Sequence, residues 1–183
     1  MERWKLINKK EVFSAEPWIN VSVQKVKLPG GKVVDDYYQI KLLDYAVIVA
    51  YTAEGQMVIT RQYRQGIGEV SLLLPGGAIE KGEEPLLAAK RELFEETGYE
   101  SNSWESLGCF VGSANYGCGK AHLFIAKDIV KVKETIGENE LEEMEIVLME
   151  PSKALSAVFS GQVVAMGAVM AISLAINHQH DKK

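Results

Sequence analysis

The chain has 183 residues, enough for one domain, or one domain with a sizeable extra element, built on a real core. Its composition, 47% hydrophobic and 25% charged, is that of an ordinary soluble globular protein. A net charge of −5 argues against non-specific nucleic-acid binding, which needs a basic surface.

Met1 to Lys10 is polar and charged and lacks an apolar stretch of signal-peptide length. From Ile19 to Leu28 the residues alternate as a strand does, Pro29-Gly30-Gly31 reads as a turn, and Val33-Val34 with Tyr37 to Leu42 continue a meander. Residues 1–43 are therefore expected to be a β-rich N-terminal portion, followed by a second domain over 44–183. Ala46 to Tyr51 and Met57 to Arg61 are predicted to form a hairpin across Glu54-Gly55. Leu72 to Leu74 enters Pro75-Gly76-Gly77, and a helix is predicted over Leu86 to Thr97. Pro85 suits its first position and Gly98 its stop.

Leu107 to Val111, His122 to Ala126 and Glu145 to Met149 read as later strands, with a short helix over Lys153 to Phe159. Gly161 breaks it, and Gln162 to His178 forms a last helix. The most apolar run, Val163 to Ile176, is too short to span a bilayer comfortably and is interrupted by Gly167 and Ser173, so it reads as a core helix. Cys109 and Cys118 have no CxxC spacing, which indicates neither a disulfide framework nor a zinc site. Reduced thiols in the cytoplasm are the expectation. Strands that precede, flank and follow single helices predict an α+β fold, an α/β/α sandwich with a mixed sheet.

The chemistry concentrates in Gly77 to Tyr99, GAIEKGEEPLLAAKRELFEETGY. On a helical wheel Leu86, Leu87, Ala89, Leu93 and Phe94 make a core-facing stripe. Glu92, Glu95 and Glu96 fall within roughly 100° on the other side, since each residue advances the helix by about 100°. Like charges at i, i+4 destabilise a helix, so Glu92 with Glu96 is locally unfavourable. A hard divalent cation with oxygen ligands removes the objection. A solvated acid-rich face is the plainer alternative.

This segment resembles the signature of the Nudix hydrolases, G-x5-E-x7-R-E-U-x-E-E-x-G-U with U aliphatic. It matches at every fixed position and departs only at the last U, which is Tyr99. The resemblance implies hydrolysis of a nucleoside diphosphate linked to another moiety, with Mg²⁺ or Mn²⁺ as cofactor. It implies Glu92 and Glu96 as main metal ligands, Glu95 as a supporting ligand and the backbone carbonyl of Gly76 as a neutral one. It implies that Glu83 pairs with Arg91 or reaches metal through water, that Arg91 organises the acids, and that Gly76 and Gly77 admit the phosphates.

Outside the signature, VITRQYR (Val58 to Arg64), LLLPGGAIE and GQVVAMGAVMAISLAI resemble the ADP-ribose pyrophosphatase branch, which also takes nucleotide sugars such as GDP-mannose. That resemblance implies that Arg64 touches the diphosphate, and that a general base sits on the acidic segment Ile136 to Leu148. Glu140 is the leading choice there, with Glu138, Glu142 and Glu143 open. It also implies a homodimer through the N-terminal portion, exchanged between subunits, with Trp18 favoured as a base contact. Tyr116, in a Gly-rich loop expected to be flexible, is a second stacking candidate. His122 is expected to be structural, and His178 and His180 lie in a polar tail that needs no metal. Sixteen residues beyond Gly98, where the branch tends to carry Pro, stands Ala114. This departure keeps hydrolysis of triphosphates or dinucleoside polyphosphates open as an alternative. A catalytically silent sensor of nucleotide sugars is the alternative of another class.

Overall fold

The structure, a computed structural model, describes residues 1–134 and 143–180. In chain order the strands are β1 (Lys5–Ala15), β2 (Ile19–Lys27), β3 (Val33–Leu42), β4 (Tyr45–Ala50), β5 (Met57–Arg64) and β6 (Glu69–Leu73). Helix α1 (Pro85–Thr97) is followed by β7 (Tyr99–Glu100), β8 (Ser103–Val111), β9 (Lys120–Lys127), β10 (Val130–Lys131) and β11 (Met144–Met149). Helices α2 (Pro151–Phe159) and α3 (Met166–His180) close the chain.

The chain forms two compact units. The first joins Met1–Asp44 to Val111–Lys120. It is an antiparallel meander, β1-β2-β3, with register shifts in β1 at Leu6/Asn8 and Glu11/Phe13. Every residue of β1 is exposed. Residues 111–120 are not the loose loop expected from their glycines. Ile40 N–H donates to the Tyr116 carbonyl at 2.9 Å, Tyr37 Oη to the Asn115 carbonyl at 2.8 Å, and Lys120 N–H to Asp44 Oδ1 at 2.8 Å. At Gly119 a Cβ would lie 2.1 Å from the Leu43 carbonyl oxygen, so only glycine lets the segment lie this close.

The second unit, Tyr45–Phe110 with Ala121–Lys183, holds two three-stranded sheets, β11-β5-β6 and β4-β9-β8. The hairpin expected between β4 and β5 is limited to its turn across Glu54-Gly55, where Thr52 N–H donates to the Gln56 carbonyl at 2.9 Å. These strands meet only at the Tyr51–Met57 bridge, after which β4 pairs in parallel with β9 and β5 pairs with β6 and β11. The free side of β4 is taken by Pro75 to Ala78: Ile48 N–H donates to the Pro75 carbonyl and Ala46 N–H to the Gly77 carbonyl, both at 2.9 Å. A glycine-rich turn that follows β6 is thus fixed along a buried strand.

Strand alternation builds the two layers of core. Val47, Val49 and Tyr51 join Leu123, Ile125, Ala168, Ala171, Ile172 and Ala175 on the α3 side. Ala46, Ile48 and Ala50 join Phe124, Ala126, Ala89 and Leu93 on the α1 side. Helices therefore cover both faces of β4 and β9, and the fold is an α/β/α sandwich of the α+β class. Among the described residues no helix is long and apolar enough to cross a membrane.

Candidate active site

Helix α1 starts at Pro85 and stops at Gly98, whose φ of 68° lets its N–H turn back to the Phe94 carbonyl. Its buried residues are Ala88, Ala89, Leu93 and Thr97. This corrects the expected stripe: Leu86 and Leu87 are exposed, Leu87 by 57%, because they lie in the first turn, away from β4. On the wheel Glu92 and Glu96 then fall between Ala88 and Ala89, on the inward face and not opposite it. The Glu92 side chain is only 14% exposed, against 56% for Glu95.

What meets this face is the Pro75-Gly76-Gly77 turn. Gly76 N–H donates to Glu96 Oε2 at 2.9 Å, and a Cβ on Gly77 would lie 2.5 Å from the Glu92 carboxylate. Gly76 itself has φ of 154°, and a Cβ there would lie 2.2 Å from the Ala46 carbonyl oxygen. A side chain would meet different obstacles at the two glycines: backbone at Gly76, which cannot give way, and the far end of a flexible carboxylate at Gly77, which can.

Arg91 ties the acids together. Its Nε and Nη2 donate to Glu83 Oε1 and Oε2, both at 3.0 Å, and Nη2 also donates to the Ala78 carbonyl at 3.0 Å. Its Nη1 donates to Glu92 Oε1 at 2.7 Å and to Glu95 Oε2 at 3.1 Å. The forked pair is the geometry that suits guanidinium and carboxylate best. Arg91 holds the Glu83 carboxyl below the usual carboxylate range, helped by the Glu80 N–H. Burial pushes Glu92 the other way, above that range; Arg91 opposes the rise, and the charges of Glu95 and Glu83 add to it. The guanidinium is itself raised, first by Glu83.

With their oxygens turned to Arg91 and to the Gly76 N–H, the acids do not stand as a ready cage. Among the described residues no three His, Cys, Asp or Glu side chains are grouped to hold a metal ion. The structure brings together Gly76, Gly77, Glu83, Arg91, Glu92, Glu95 and Glu96. Arg64 ends β5, in register with Glu69. Trp18, 69% exposed, and exposed Tyr116 belong to the other unit. Glu140, Glu138 and Glu142 lie outside the described residues. His122 Nε2 lies 3.7 Å from Cys109 Sγ, and His178 Nε2 lies within hydrogen-bond distance of Glu105 Oε1, at 2.5 Å. The Ala78 carbonyl and the Gly76 N–H carry no sequence signal as contacts, because main-chain groups are common to every residue.

A NUDIX domain model matches residues 41–164. The chain belongs to the Nudix family. A model described as the nucleoside diphosphate sugar hydrolase N-terminal domain matches residues 4–40. Among curated relatives, an ADP-ribose pyrophosphatase of Bacillus subtilis is 31% identical over 84% of this chain and 83% of its own. A methanol dehydrogenase activator of Bacillus methanolicus is 29% identical over 92% and 90%. A crystal structure of an ADP compounds hydrolase superposes with a TM-score of 0.83 at 19% identity, covering 100% of this chain and 97% of the other, and so shares the fold. This Nudix protein is accordingly a pyrophosphohydrolase.

Proposed function

We propose that this Nudix enzyme hydrolyses the diphosphate linkage of nucleoside diphosphate sugars, of the ADP-ribose or GDP-mannose type. The products are a nucleoside monophosphate and a sugar phosphate. The observation that carries this reading is the interlock of the Gly76-Gly77 turn with Glu92 and Glu96. It sets a turn that carries no side chains against partly buried carboxylates that need a cation. The match over residues 4–40 and the Bacillus subtilis relative favour nucleotide sugars over triphosphates and dinucleoside polyphosphates.

The donor set fits Mg²⁺ or Mn²⁺: every group is oxygen, and the Glu92 carboxylate is buried among other acids. Glu92, Glu96, Glu95 and the Gly76 carbonyl would hold the ion. When bound, it neutralises the diphosphate and lowers the pKa of a water. The chain's own residues do the rest. Glu83 and Arg91 keep α1 and the turn in register, Gly77, whose missing side chain makes room for Glu92, meets the phosphates through its main chain, and Arg64 binds the diphosphate. Trp18 and Tyr116 stack base or sugar. Glu140 takes the proton of the attacking water, the role of a general base.

Exposed Trp4, Leu6, Ile7, Val12 and Phe13 on the N-terminal meander favour its burial in a homodimer, with residues 1–43 as the dimerising and exchanged portion. The free thiols Cys109 and Cys118 fit a cytoplasmic location. The test is a panel of ADP-ribose, GDP-mannose, other nucleotide sugars, dinucleoside polyphosphates and triphosphates, assayed with Mg²⁺ in ¹⁸O water. Nucleotide sugars should turn over fastest, with ¹⁸O in one product phosphate. Preference for triphosphates would replace this reading with its alternative, and turnover of none would leave a sensor.

A further inference from the structure

The Arg91 guanidinium has two edges with different neighbours. One, Nε with Nη2, is held by both oxygens of Glu83 and by the Ala78 carbonyl, all at 3.0 Å. The other, Nη1, is shared between Glu92 at 2.7 Å and Glu95 at 3.1 Å. Glu83 is the partner of the first edge alone, whereas Glu92 and Glu95 are in the donor set assigned above to the divalent ion. The Glu92 and Glu95 oxygens turned to Nη1 already face a positive charge that competes with that ion, and among the described residues no three His, Cys, Asp or Glu side chains are grouped to hold a metal in this arrangement.

We propose that the Nη1 edge of Arg91 is an exchangeable counter-ion. It stands in for the divalent cation on Glu92 and Glu95, keeps the metal-free site folded, and lowers the affinity with which the cation binds. The inference rests on the metal-dependent reading above and goes beyond it, because an organising arginine would only strengthen metal binding. Two costs are set by Arg91. The incoming ion must draw the Glu92 and Glu95 carboxylates away from two charge-assisted hydrogen bonds, weakening them, and it must sit beside a guanidinium that Glu83 and Ala78 still hold in place.

The sign of the effect separates the two roles. In Arg91→Gln, Mg²⁺ titrated calorimetrically should bind about tenfold more tightly than in wild type, since a neighbouring positive charge has been removed. The metal-free variant should melt at a lower temperature than wild type, and its gain in melting temperature on saturation with Mg²⁺ should be the larger of the two. Equal or weaker Mg²⁺ binding in the variant overturns the proposal and leaves Arg91 as an organiser only. A readout on the wild type needs no variant. With ¹⁵N-labelled arginine, the Arg91 Nε–H signal should keep its position through a Mg²⁺ titration, while the Nη hydrogens exchange faster with water. Unchanged Nη exchange at saturation overturns the proposal as well. Hydrolysis of nucleotide sugars by the wild type is scored separately. An active wild type with no affinity gain in Arg91→Gln sinks this proposal alone, and an inactive wild type that binds Mg²⁺ sinks the functional reading alone.

Discussion

Replacing Gly77 by alanine would set a methyl carbon 2.5 Å from the Glu92 carboxylate. Ordinary contact begins near 3.4 Å, so the carboxylate must retreat by about 0.9 Å. Only the far end of a flexible side chain has to move, and the folding cost should stay within about 1 kcal/mol. Turnover is more sensitive, because a misplacement of about 1 Å at a reacting centre costs on the order of a hundredfold. That corresponds to about 2.7 kcal/mol on the barrier. The assay is kcat for ADP-ribose hydrolysis with Mg²⁺, read beside a thermal melt. The expected result is a loss of about a hundredfold in kcat with the melt nearly unmoved. Turnover near wild type in Gly77→Ala would refute the placement of Glu92 at the reacting centre. Gly76→Ala supplies the contrast. Its Cβ would meet the Ala46 carbonyl oxygen at 2.2 Å with φ at 154°, so backbone must yield and the melt itself should fall steeply.

Other outcomes follow from the same geometry. Glu83 sits below its usual pKa when folded, so its contribution to stability is complete above the unfolded value of 4.5 and is lost as pH falls through the folded one. Melting of metal-free Glu83→Gln should therefore vary less with pH below 4.5 than that of wild type, and identical slopes would contradict the Arg91 pairing. His178→Ala removes the half-exposed pair with Glu105, which also accepts from Lys127 at 3.3 Å. It should cost up to about 1 kcal/mol. A melt lowered by about 2–4 °C with unchanged turnover is expected; a fall in turnover would tie the end of α3 to catalysis. Leu93→Ala, fully buried between α1 and β4, should cost about 2–5 kcal/mol by chemical denaturation, and a smaller loss would mean that the layer collapses around the gap.

The ends of α1 were legible because Pro85 and Gly98 act through their own backbone, with no partner needed. β2 could be read from its alternation, and β4 from its apolar run, for the same local reason. Their partners could not. An apolar run marks a strand without saying what lies beside it, so β4 was taken as half of a hairpin when Pro75 to Ala78 and β9 flank it. β1, KLINKKEVFSA, hides its period behind two register shifts and three lysines. The acids of α1 were assigned to the outer face because exposed Leu86 and Leu87 were counted into the apolar stripe and drew it away from them. Here the glycines at 76 and 77 make the space that lets Glu92 and Glu96 turn inward, a consequence visible only once the turn is set against the helix. The glycines of residues 111–120 suggested mobility, yet Gly119 marks close packing on Leu43.

The most direct measurement is the rate at which ADP-ribose yields AMP at saturating Mg²⁺, for Glu96→Gln against wild type. The glutamine can still accept from the Gly76 N–H, so the turn stays in place while the negative charge is lost. Outer-sphere partners of a metal already cost about 10–100-fold when removed, so a direct ligand should cost at least the upper figure. A folded Glu96→Gln that releases AMP as fast as wild type would contradict the assignment of α1 as the seat of metal-assisted hydrolysis.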